Sequence, residues 1–459
     1  MADLYISDEM ADDAEIAAVD AALGGRFVVV RESERFVRAG TSKRHDHRHL
    51  LLPALHALQN AKGWISPGGL NHVCETLQVP PAEAYGVATF YDLFRTDEPT
   101  QAGDVTHVCV DAACQIAGSG KRIAALRAQS INVHESPCLG QCERANASTG
   151  EVAEFVQGVG RPDRVEADER PYELFHQKGD ESLRLLKRIG VVDPTSLASY
   201  RAHGGYDALT AAMAMGADAV CTAVADSGLS GRGGAAFPTG IKWRAVAAEQ
   251  GRPKHVVANC DESEPGTFKD RVVMENDPFA VIEALTIAGF ATGAENGWIY
   301  IRGEYPLATA RLQNAINQAL EAGLLGDDAA GSGHRFTIEI RRGAGAYICG
   351  EETALFASLE GFRGEPRSKP PFPTTHGLFQ EPTAINNPET LLNVLDIVQI
   401  GADGYRSRGT DRSPGTKLLC LSGRVARPGV YEVEFGTTLG EVLELAGGLT
   451  GSGELRAVL

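Results

Sequence analysis

The chain has 459 residues, with 43 lysines and arginines against 60 aspartates and glutamates. This length is enough for roughly two to four domains, each with its own hydrophobic core. The net charge of −17 leaves no basic surplus for neutralising a phosphate backbone, so we expect no nucleic-acid partner. The chain has no apolar run of about 18 residues and no basic, apolar signal peptide at its acidic N-terminus. We therefore expect a cytoplasmic protein with no direct membrane span.

Residues 1–48 form a polar N-terminal segment. Helices are predicted at the start of the next segment, 49–178, because apolar residues recur at helical spacing in 51–61 and Pro80 and Pro81 open a second helix. The remainder of this segment alternates short strands, the last at 151–156, with one helix. This pattern predicts a small α/β unit.

Residues 179–200 are charged and weakly periodic, which predicts a linker or, over 181–190, a connecting helix. Strands and helices then alternate through 201–412, as is typical of a layered α/β domain with a largely parallel sheet. Residues 413–459 indicate a strand, a turn, a strand and a helix, which is the order of a β-grasp-like (SLBB-type, ubiquitin-like) module. The chain stops on residues that begin a further strand, so we expect this module to be partial and the chain to belong to a longer protein.

The most informative segment is 228–243, GLSGRGGAAFPTGIKW, with five glycines ahead of a predicted helix start. Glycine allows backbone N–H groups to approach a ligand closely, and several such groups at a helix N-terminus bind phosphate. Arg232 and Lys242 add positive charge. Its G-x-G-x-x-A spacing is by itself weak evidence for dinucleotide binding. The segment therefore predicts a phosphorylated ligand without identifying it.

Four further blocks share this region: 259–271, 343–352, 369–373 and 383–390. Their carboxylates and paired asparagines can hydrogen-bond sugar hydroxyls and the N–H groups of a heterocycle. The alternative for each acidic residue is a solvated surface charge, and the alternative for the aromatic residues is core packing. Because the blocks are rich in glycine and proline, we favour a ligand that combines a phosphate, a sugar chain and a flat ring.

Two pairs of cysteines lie in the small α/β unit. Cys109 and Cys114 are separated by four residues, and Cys138 and Cys142 by three. Four thiolates on converging loops suit a [2Fe–2S] cluster or a tetrahedral zinc ion, and gaps longer than the two residues usual for zinc favour the cluster. The alternative is a set of unrelated buried cysteines.

Residues 49–150 resemble the thioredoxin-like [2Fe–2S] subunit of respiratory complex I. The resemblance rests on LLPALHALQNAKGWIS, VPPAEAYGVATFYDLF, CVDAAC and CLGQC. It implies that the metal ligands are Cys109, Cys114, Cys138 and Cys142. One departure is ERANAS after the last cysteine, where relatives usually carry a small turn resembling Gly-Asn-Ala.

Residues 200–455 resemble the flavoprotein subunit of complex I, which binds FMN and NADH. The same module recurs in the diaphorase part of NAD-reducing hydrogenases and NAD-dependent formate dehydrogenases. The resemblance implies that FMN contacts Gly231, Arg232, Gly233, Gly234, Lys242, Asn259, Asp261, Glu262, Ser263, Gly350, Glu351, Glu352, Ile385, Asn386, Asn387 and Thr390. It implies that NAD(H) contacts Phe237, Lys242, Glu264, Tyr347, Glu352 and Phe372. Relatives often have an aromatic residue at Ala245 and an arginine at Ser230.

The resemblance implies an enzyme subunit that moves hydride between NAD(H) and FMN and single electrons between FMN and iron–sulfur clusters. No catalytic acid or base is expected, because the cofactors carry the chemistry. A [4Fe–4S] cluster is expected only if a further C-terminal domain exists. Fusion of both modules favours a formate dehydrogenase or hydrogenase type, with other iron–sulfur and catalytic subunits as partners. The alternatives are a complex I flavoprotein subunit and a non-catalytic iron–sulfur scaffold.

Overall fold

The computed structural model describes residues 8–24, 47–98, 105–149, 175–251 and 253–458. Most of the predicted N-terminal segment and the predicted strand at 151–156 lie outside these residues.

The first described elements are four helices. The first begins with a capping box in which Asp12 and Glu15 bind each other's backbone N–H groups, and the third begins with Ser66 as its N-cap. The buried carboxylate of Glu15 also accepts a hydrogen bond from the Ser66 hydroxyl at 2.5 Å, which joins the two helix starts. The helices are α1 (Asp13–Ala22), α2 (Leu51–Lys62), α3 (Pro67–Leu77) and α4 (Pro81–Ala88).

A small three-stranded sheet follows. Its central strand β1 (Thr106–Cys109) pairs in parallel with β2 (Val133–Ser136) and antiparallel with β3 (Ser148–Thr149). Helices α5 (Ala112–Ile116) and α6 (Ser119–Ala128) connect β1 to β2. Since parallel neighbours end at the same edge of a sheet, the loops that leave β1 and β2 converge there.

The main domain contains a four-stranded parallel sheet in the order β6-β5-β4-β7. The chain adds β5 and β6 on one side of β4 and then places β7 on the other side. In open parallel sheets, the crevice beyond the strand ends at such a reversal is the usual ligand site. The strands are β4 (His255–Cys260), β5 (Asn296–Ile301), β6 (Thr337–Arg342) and β7 (Thr383–Asn386).

Different helices cover the two faces of this sheet. Val256 and Ile299 belong to a core shared with the helices of the main domain, whereas Val257 and Trp298 belong to a core shared with α2, α3 and α4. This division follows from the alternation of side chains along a strand. The helices of the main domain are α7 (Leu197–Ala202), α8 (Asp207–Met215), α9 (Ala217–Asp226), α10 (Thr239–Ala248), α11 (Lys269–Asn276), α12 (Pro278–Thr292), α13 (Pro306–Glu321), α14 (Glu352–Leu359), α15 (Pro373–His376) and α16 (Pro388–Arg406).

Among the helices that the structure describes, none could by itself span a membrane. Helices α8 and α9, bent by 108° at their junction, meet the criteria of length and apolar composition only as a pair.

The C-terminal residues form a hairpin of β10 (Thr416–Leu421) and β11 (Gly429–Glu434), followed by α17 (Leu439–Leu445). The predicted order of strand, turn, strand and helix is therefore confirmed. A short hairpin of β8 (Gly409–Thr410) and β9 (Ser413–Pro414) precedes it.

The predicted linker packs against this hairpin. Residues 181–190 adopt turns rather than the connecting helix that we considered, and Leu183 and Leu186 are buried in the main core. The reason is the buried carboxylate of Glu432, which accepts hydrogen bonds from three successive N–H groups, those of Arg184, Leu185 and Leu186, at 2.9–3.1 Å. This side chain holds the segment in a turn conformation.

We expect Glu432→Gln to lower the free energy of unfolding by about 2 kcal/mol, because an amide cannot accept all of the hydrogen bonds that the carboxylate accepts. The measurement is the midpoint of thermal unfolding. Glu444→Gln, an exposed substitution on α17, is the control and should change stability by less than about 0.5 kcal/mol. Equal midpoints for the two variants would contradict this account.

Candidate functional site

The predicted blocks meet beyond the carboxyl ends of the parallel strands. The Asn259 side chain, at the end of β4, donates a hydrogen bond to the carbonyl of Gly350 in the turn after β6, at 2.9 Å. Asn259 also accepts from the N–H of Asp261 at 3.2 Å, and Asp261 accepts from the Ser263 hydroxyl at 2.8 Å. The acidic block and the glycine turn are therefore one connected structure.

The glycine-rich segment contacts the block after β7. The N–H of Arg232 donates to the hydroxyl of Thr390 at 2.8 Å, and the ammonium of Lys242 donates to the carbonyl of Ile385 at 2.7 Å. Burial lowers the pKa of Lys242, and the nearby carboxylate of Glu352 partly offsets this effect. A positive charge thus lies between the glycine loop and β7.

The geometry of the glycine loop fits a phosphate. Among the described residues, the N–H groups of 233–236 have no hydrogen-bond acceptor within the protein. Gly234 has φ +124°, a conformation that L side chains rarely adopt, and space around it is open. Helix α10 starts at Thr239, directly after the loop. Free N–H groups ahead of a helix start form an anion site, as the phosphate group of FMN requires.

Asp261 and Glu262 are two buried acidic residues of the site with different hydrogen-bond partners. Burial raises the pKa of Asp261 to about 7. Burial and the nearby Asp270 raise the pKa of Glu262 to about 7. The Glu262 carboxylate accepts the N–H groups of Asp270 and Arg271 at 2.9 and 3.0 Å, so it caps α11. Glu262 is predicted to contact the flavin, and in the structure its carboxylate binds this helix start.

Three exposed aromatic side chains are among the residues that the family resemblance assigns to NAD(H). Phe237, Tyr347 and Phe372 are 50, 61 and 59% exposed, which is unusual for large apolar groups. The Tyr347 hydroxyl donates to the carboxylate of Glu264 at 2.6 Å. Exposed rings beside hydrogen-bonding carboxylates fit a ligand with flat rings and sugar hydroxyls.

Lys369 was not predicted as a site residue. Its ammonium lies 3.0 Å from a carboxylate oxygen of Glu351 and 2.8 Å from one of Glu352. The sequence signal was available, because Lys369 opens the KPPFP block. This pairing joins that block to the start of α14.

The side chain of Arg232 differs from the expectation that its charge faces the phosphate. Its guanidinium donates to the Tyr405 hydroxyl and the Pro414 carbonyl, both at 3.1 Å, and lies 4.5 Å from the centre of the Phe435 ring. The hydrogen bond from its N–H to Thr390 fixes the backbone of the loop here. The backbone of Arg232 therefore lies at the site, whereas its charged side chain contacts Tyr405 and the C-terminal hairpins.

The four predicted metal ligands converge and are buried, with at most 3% exposure. The sulfurs of Cys138 and Cys142 are 3.4 Å apart, and those of Cys109 and Cys138 lie within 4.8 Å of each other. The N–H of Gly140 also donates to the Cys138 sulfur at 3.4 Å. Two buried cysteine pairs on neighbouring loops fit the ligand set of a [2Fe–2S] cluster.

Interactions among the four neighbouring thiols lower the pKa of Cys138 and Cys114 and raise the pKa of Cys109 and Cys142. A cluster needs all four groups as thiolates, and positive iron supplies the charge that stabilises them.

Two buried arginines hold the cluster loop, residues 138–142, against the main domain. Arg302, directly after β5, donates to the carbonyl of Cys138 at 2.6 Å. Arg271, on α11, donates to the carbonyl of Gly140 at 2.9 Å and forms a short ion pair with Glu143. We did not predict either arginine. The available signal was their position beside apolar strands and helices, where a buried charge needs a partner.

Known protein families match most of this chain. The Nuo51 FMN-binding domain matches residues 224–396, the thioredoxin-like [2Fe–2S] ferredoxin matches 37–154, and the SLBB domain matches 418–458. An NADH-quinone oxidoreductase subunit of Rhizobium meliloti is 50% identical over 277 residues, which are 60% of this chain and 66% of that protein. The NADP-reducing hydrogenase subunit HndC of Solidesulfovibrio fructosivorans is 46% identical over 280 residues, which are 61% of this chain and 57% of that protein.

The structure is also similar to a crystal structure of NAD⁺-reducing [NiFe]-hydrogenase in the H2-reduced state. The TM-score is 0.74 at 32% identity, over 88% of this chain and 70% of that one. The chain spans about three fifths of the length of the curated relatives named above. The matches confirm the predicted α/β fold class and the cofactors FMN and a [2Fe–2S] cluster.

We expect Gly140→Ala to impair cluster assembly. Gly140 has φ +66°, and an added Cβ would lie 2.3 Å from the hydroxyl oxygen of Tyr305, which is buried. The backbone strain costs about 1–2 kcal/mol before the clash is counted. The measurement is iron content after anaerobic purification. Gly120→Ala in α6 is the control, because nothing lies within 4 Å of its added Cβ. Full iron content in Gly140→Ala would show that the cluster loop does not depend on this close contact.

The sequence motifs, the converging cysteines and the crevice at the carboxyl edge of the sheet agree with the three family matches. The chain therefore belongs to the family of fused complex I-type subunits, in which a thioredoxin-like [2Fe–2S] ferredoxin domain and a Nuo51-type FMN-binding domain share one polypeptide.

Proposed function

We propose that this chain is an NADH:FMN oxidoreductase module, or diaphorase, that passes electrons between NAD(H) and iron–sulfur clusters in a larger redox complex. The observation that carries this proposal is the direct junction of the two sites. The guanidinium of Arg302 binds both sites. It donates at 2.7 Å to the carbonyl of Glu262 in the block 259–271, here called the flavin block, and at 2.6 Å to the carbonyl of Cys138 in the cluster loop. A module for electron exchange between two cofactors requires such proximity.

The residues divide into three groups by the chemistry that they offer. Backbone N–H groups of 233–236 and the ammonium of Lys242 would hold the phosphate of FMN. Polar groups of Asn259, Asp261 and Ser263, with the turn at 350–352, would hold the ribityl chain and flavin edge. The group that would hold the ribityl chain and flavin edge also includes the residues at the end of β7 and the start of α16: Ile385, Asn386, Asn387 and Thr390. The exposed rings of Phe237, Tyr347 and Phe372, with Glu264, would bind NAD(H).

The bound flavin supplies hydride exchange with nicotinamide and single-electron exchange with iron–sulfur clusters. A hydride carries two electrons and one proton, so each NADH oxidised to NAD⁺ would supply two electrons, which iron–sulfur clusters would accept in two single-electron transfers. The contribution of the chain is to hold the two rings in contact and to exclude water from the buried side. None of these residues needs to act as a general acid or base.

The parent complex is proposed to be of the hydrogenase or formate dehydrogenase type, with further iron–sulfur and catalytic subunits as partners. Both modules lie in one chain, and the structure is similar to that of an NAD⁺-reducing hydrogenase over 88% of the chain. The alternative of a complex I flavoprotein subunit is favoured by the higher sequence identity, 50%. The cytoplasmic location and the domain boundaries 49–178, 201–412 and 413–459 stay predictions.

The first test is spectroscopic. Purified protein reconstituted with FMN should have a flavin spectrum that one equivalent of NADH bleaches without oxygen. If the chain is only an iron–sulfur scaffold, the colour will come from iron and sulfide alone and NADH will change nothing. That result would contradict the proposed function.

The second test separates the two sites. We expect Cys114→Ser to abolish the [2Fe–2S] EPR signal, because the cluster loses a ligand, and to leave electron transfer from NADH to an artificial dye within about twofold of the unmodified protein. Cys221→Ser is the control, since Cys221 is buried outside the ligand set and donates to the carbonyl of Ala291. An unchanged EPR signal in Cys114→Ser would mean that the quartet is not the ligand set.

A further inference from the structure

We propose that Arg302 is a positioning residue that couples the flavin block to the [2Fe–2S] cluster and raises the reduction potential of the cluster. This inference rests on the proposed function. It concerns a residue outside the motifs that the family resemblance assigns to either cofactor.

Arg302 bridges the two sites through hydrogen bonds. It follows β5 directly, its side chain is 4% exposed, and one Nη donates to the carbonyl of Glu262 at 2.7 Å. The other Nη donates to the carbonyl of Cys138 at 2.6 Å and to the carboxylate of Glu304 at 2.8 Å. Glu262 follows Asp261, which is proposed to contact FMN, and Cys138 is a proposed cluster ligand. One rigid planar group therefore joins the backbones of the two sites.

The charge of Arg302 acts on the cluster. A guanidinium remains protonated in proteins, and burial reduces the screening of its charge by water. A positive charge next to the carbonyl of a ligand stabilises the extra electron of the reduced cluster, so it raises the reduction potential. Glu304 opposes this effect, because it places a negative charge beside the same guanidinium. No bond forms or breaks at Arg302; electrons leave the flavin side and enter the cluster side one at a time.

Arg271 offers a matched comparison. It is also 4% exposed and also binds the cluster loop, through the carbonyl of Gly140. Its guanidinium is paired with the carboxylates of Glu143 and Glu275. Arg271 is itself the last residue of the block 259–271, and its N–H donates to the carboxylate of Glu262 at 3.0 Å. Its guanidinium binds the cluster loop, so Arg271 links the two segments through its own backbone, whereas the guanidinium of Arg302 binds both segments directly.

The experiment uses the protein loaded with FMN and its cluster, and it measures two quantities. The first is the midpoint potential of the cluster, from an EPR-monitored redox titration. The second is the rate at which NADH reduces the cluster after rapid mixing. The variants are Arg302→Gln, Arg302→Lys, Glu304→Gln and, for comparison, Arg271→Lys. Bleaching of the flavin by NADH is recorded in every sample.

We expect Arg302→Gln to disfavour cluster reduction about tenfold, which is about 59 mV more negative for one electron. Glu304→Gln should shift the potential in the opposite direction, because it removes a negative charge. Arg302→Lys keeps the charge and loses the planar fork, so it should retain the potential and reduce the cluster about tenfold more slowly. The comparison variant Arg271→Lys keeps its charge and its backbone hydrogen bond to Glu262, so it should retain the potential and slow cluster reduction less than Arg302→Lys does.

Two results would overturn the inference. One is an unchanged potential and rate in Arg302→Gln; the other is a shift of the same sign in Arg302→Gln and Glu304→Gln, which would reflect only a disturbed structure. Failure of NADH to bleach the flavin in the unmodified protein would instead contradict the proposed function, and so the two failures are distinguishable.

Discussion

The arrangement of this protein depends on two guanidinium groups buried between the cluster loop and the main domain. A buried charge is tolerated only when it is paired and hydrogen-bonded, and Arg271 and Arg302 meet this condition with carboxylates and with carbonyls of the cluster loop. Because those carbonyls belong to the loop that carries Cys138 and Cys142, two of the predicted ligands, the hydrogen bonds of the arginines also position these cysteines. Cys138 and Cys142 accordingly belong to the hydrophobic core of the main domain, whereas Cys109 and Cys114 form a small cluster of their own.

The topology of the parallel sheet gathers the rest of the site. The chain reverses direction across the sheet at β4, and the loops after β4, β6 and β7 meet the glycine-rich segment beyond the strand ends. Residues far apart in the sequence, such as Arg232 and Thr390, thereby come within hydrogen-bond distance. The helices α2, α3 and α4 cover one face of this sheet, so the first part of the chain supports the flavin domain as well as preceding the cluster unit.

Much of the site was predictable because its chemistry depends on local spacing. The cysteine pairs, the glycine loop before α10 and the asparagines at the start of α16 each lie within a short segment whose composition indicates its role. Side-chain direction was not predictable in the same way. Glu262 caps α11 and Arg232 reaches Tyr405 and Pro414, since the positions of the partners that satisfy these charges depend on how the chain folds.

The sequence by itself determined the fold class and the kind of cofactor, and it singled out the four cysteines that remain the predicted cluster ligands, because residue type and local spacing carry that information. Only the tertiary structure decided that residues 181–190 adopt turns around the carboxylate of Glu432, and that Arg302 joins the flavin block to the cluster loop. The physical reason is the same in both cases. A buried polar group must find partners, and those partners are chosen by proximity in the folded chain rather than by neighbours in the sequence.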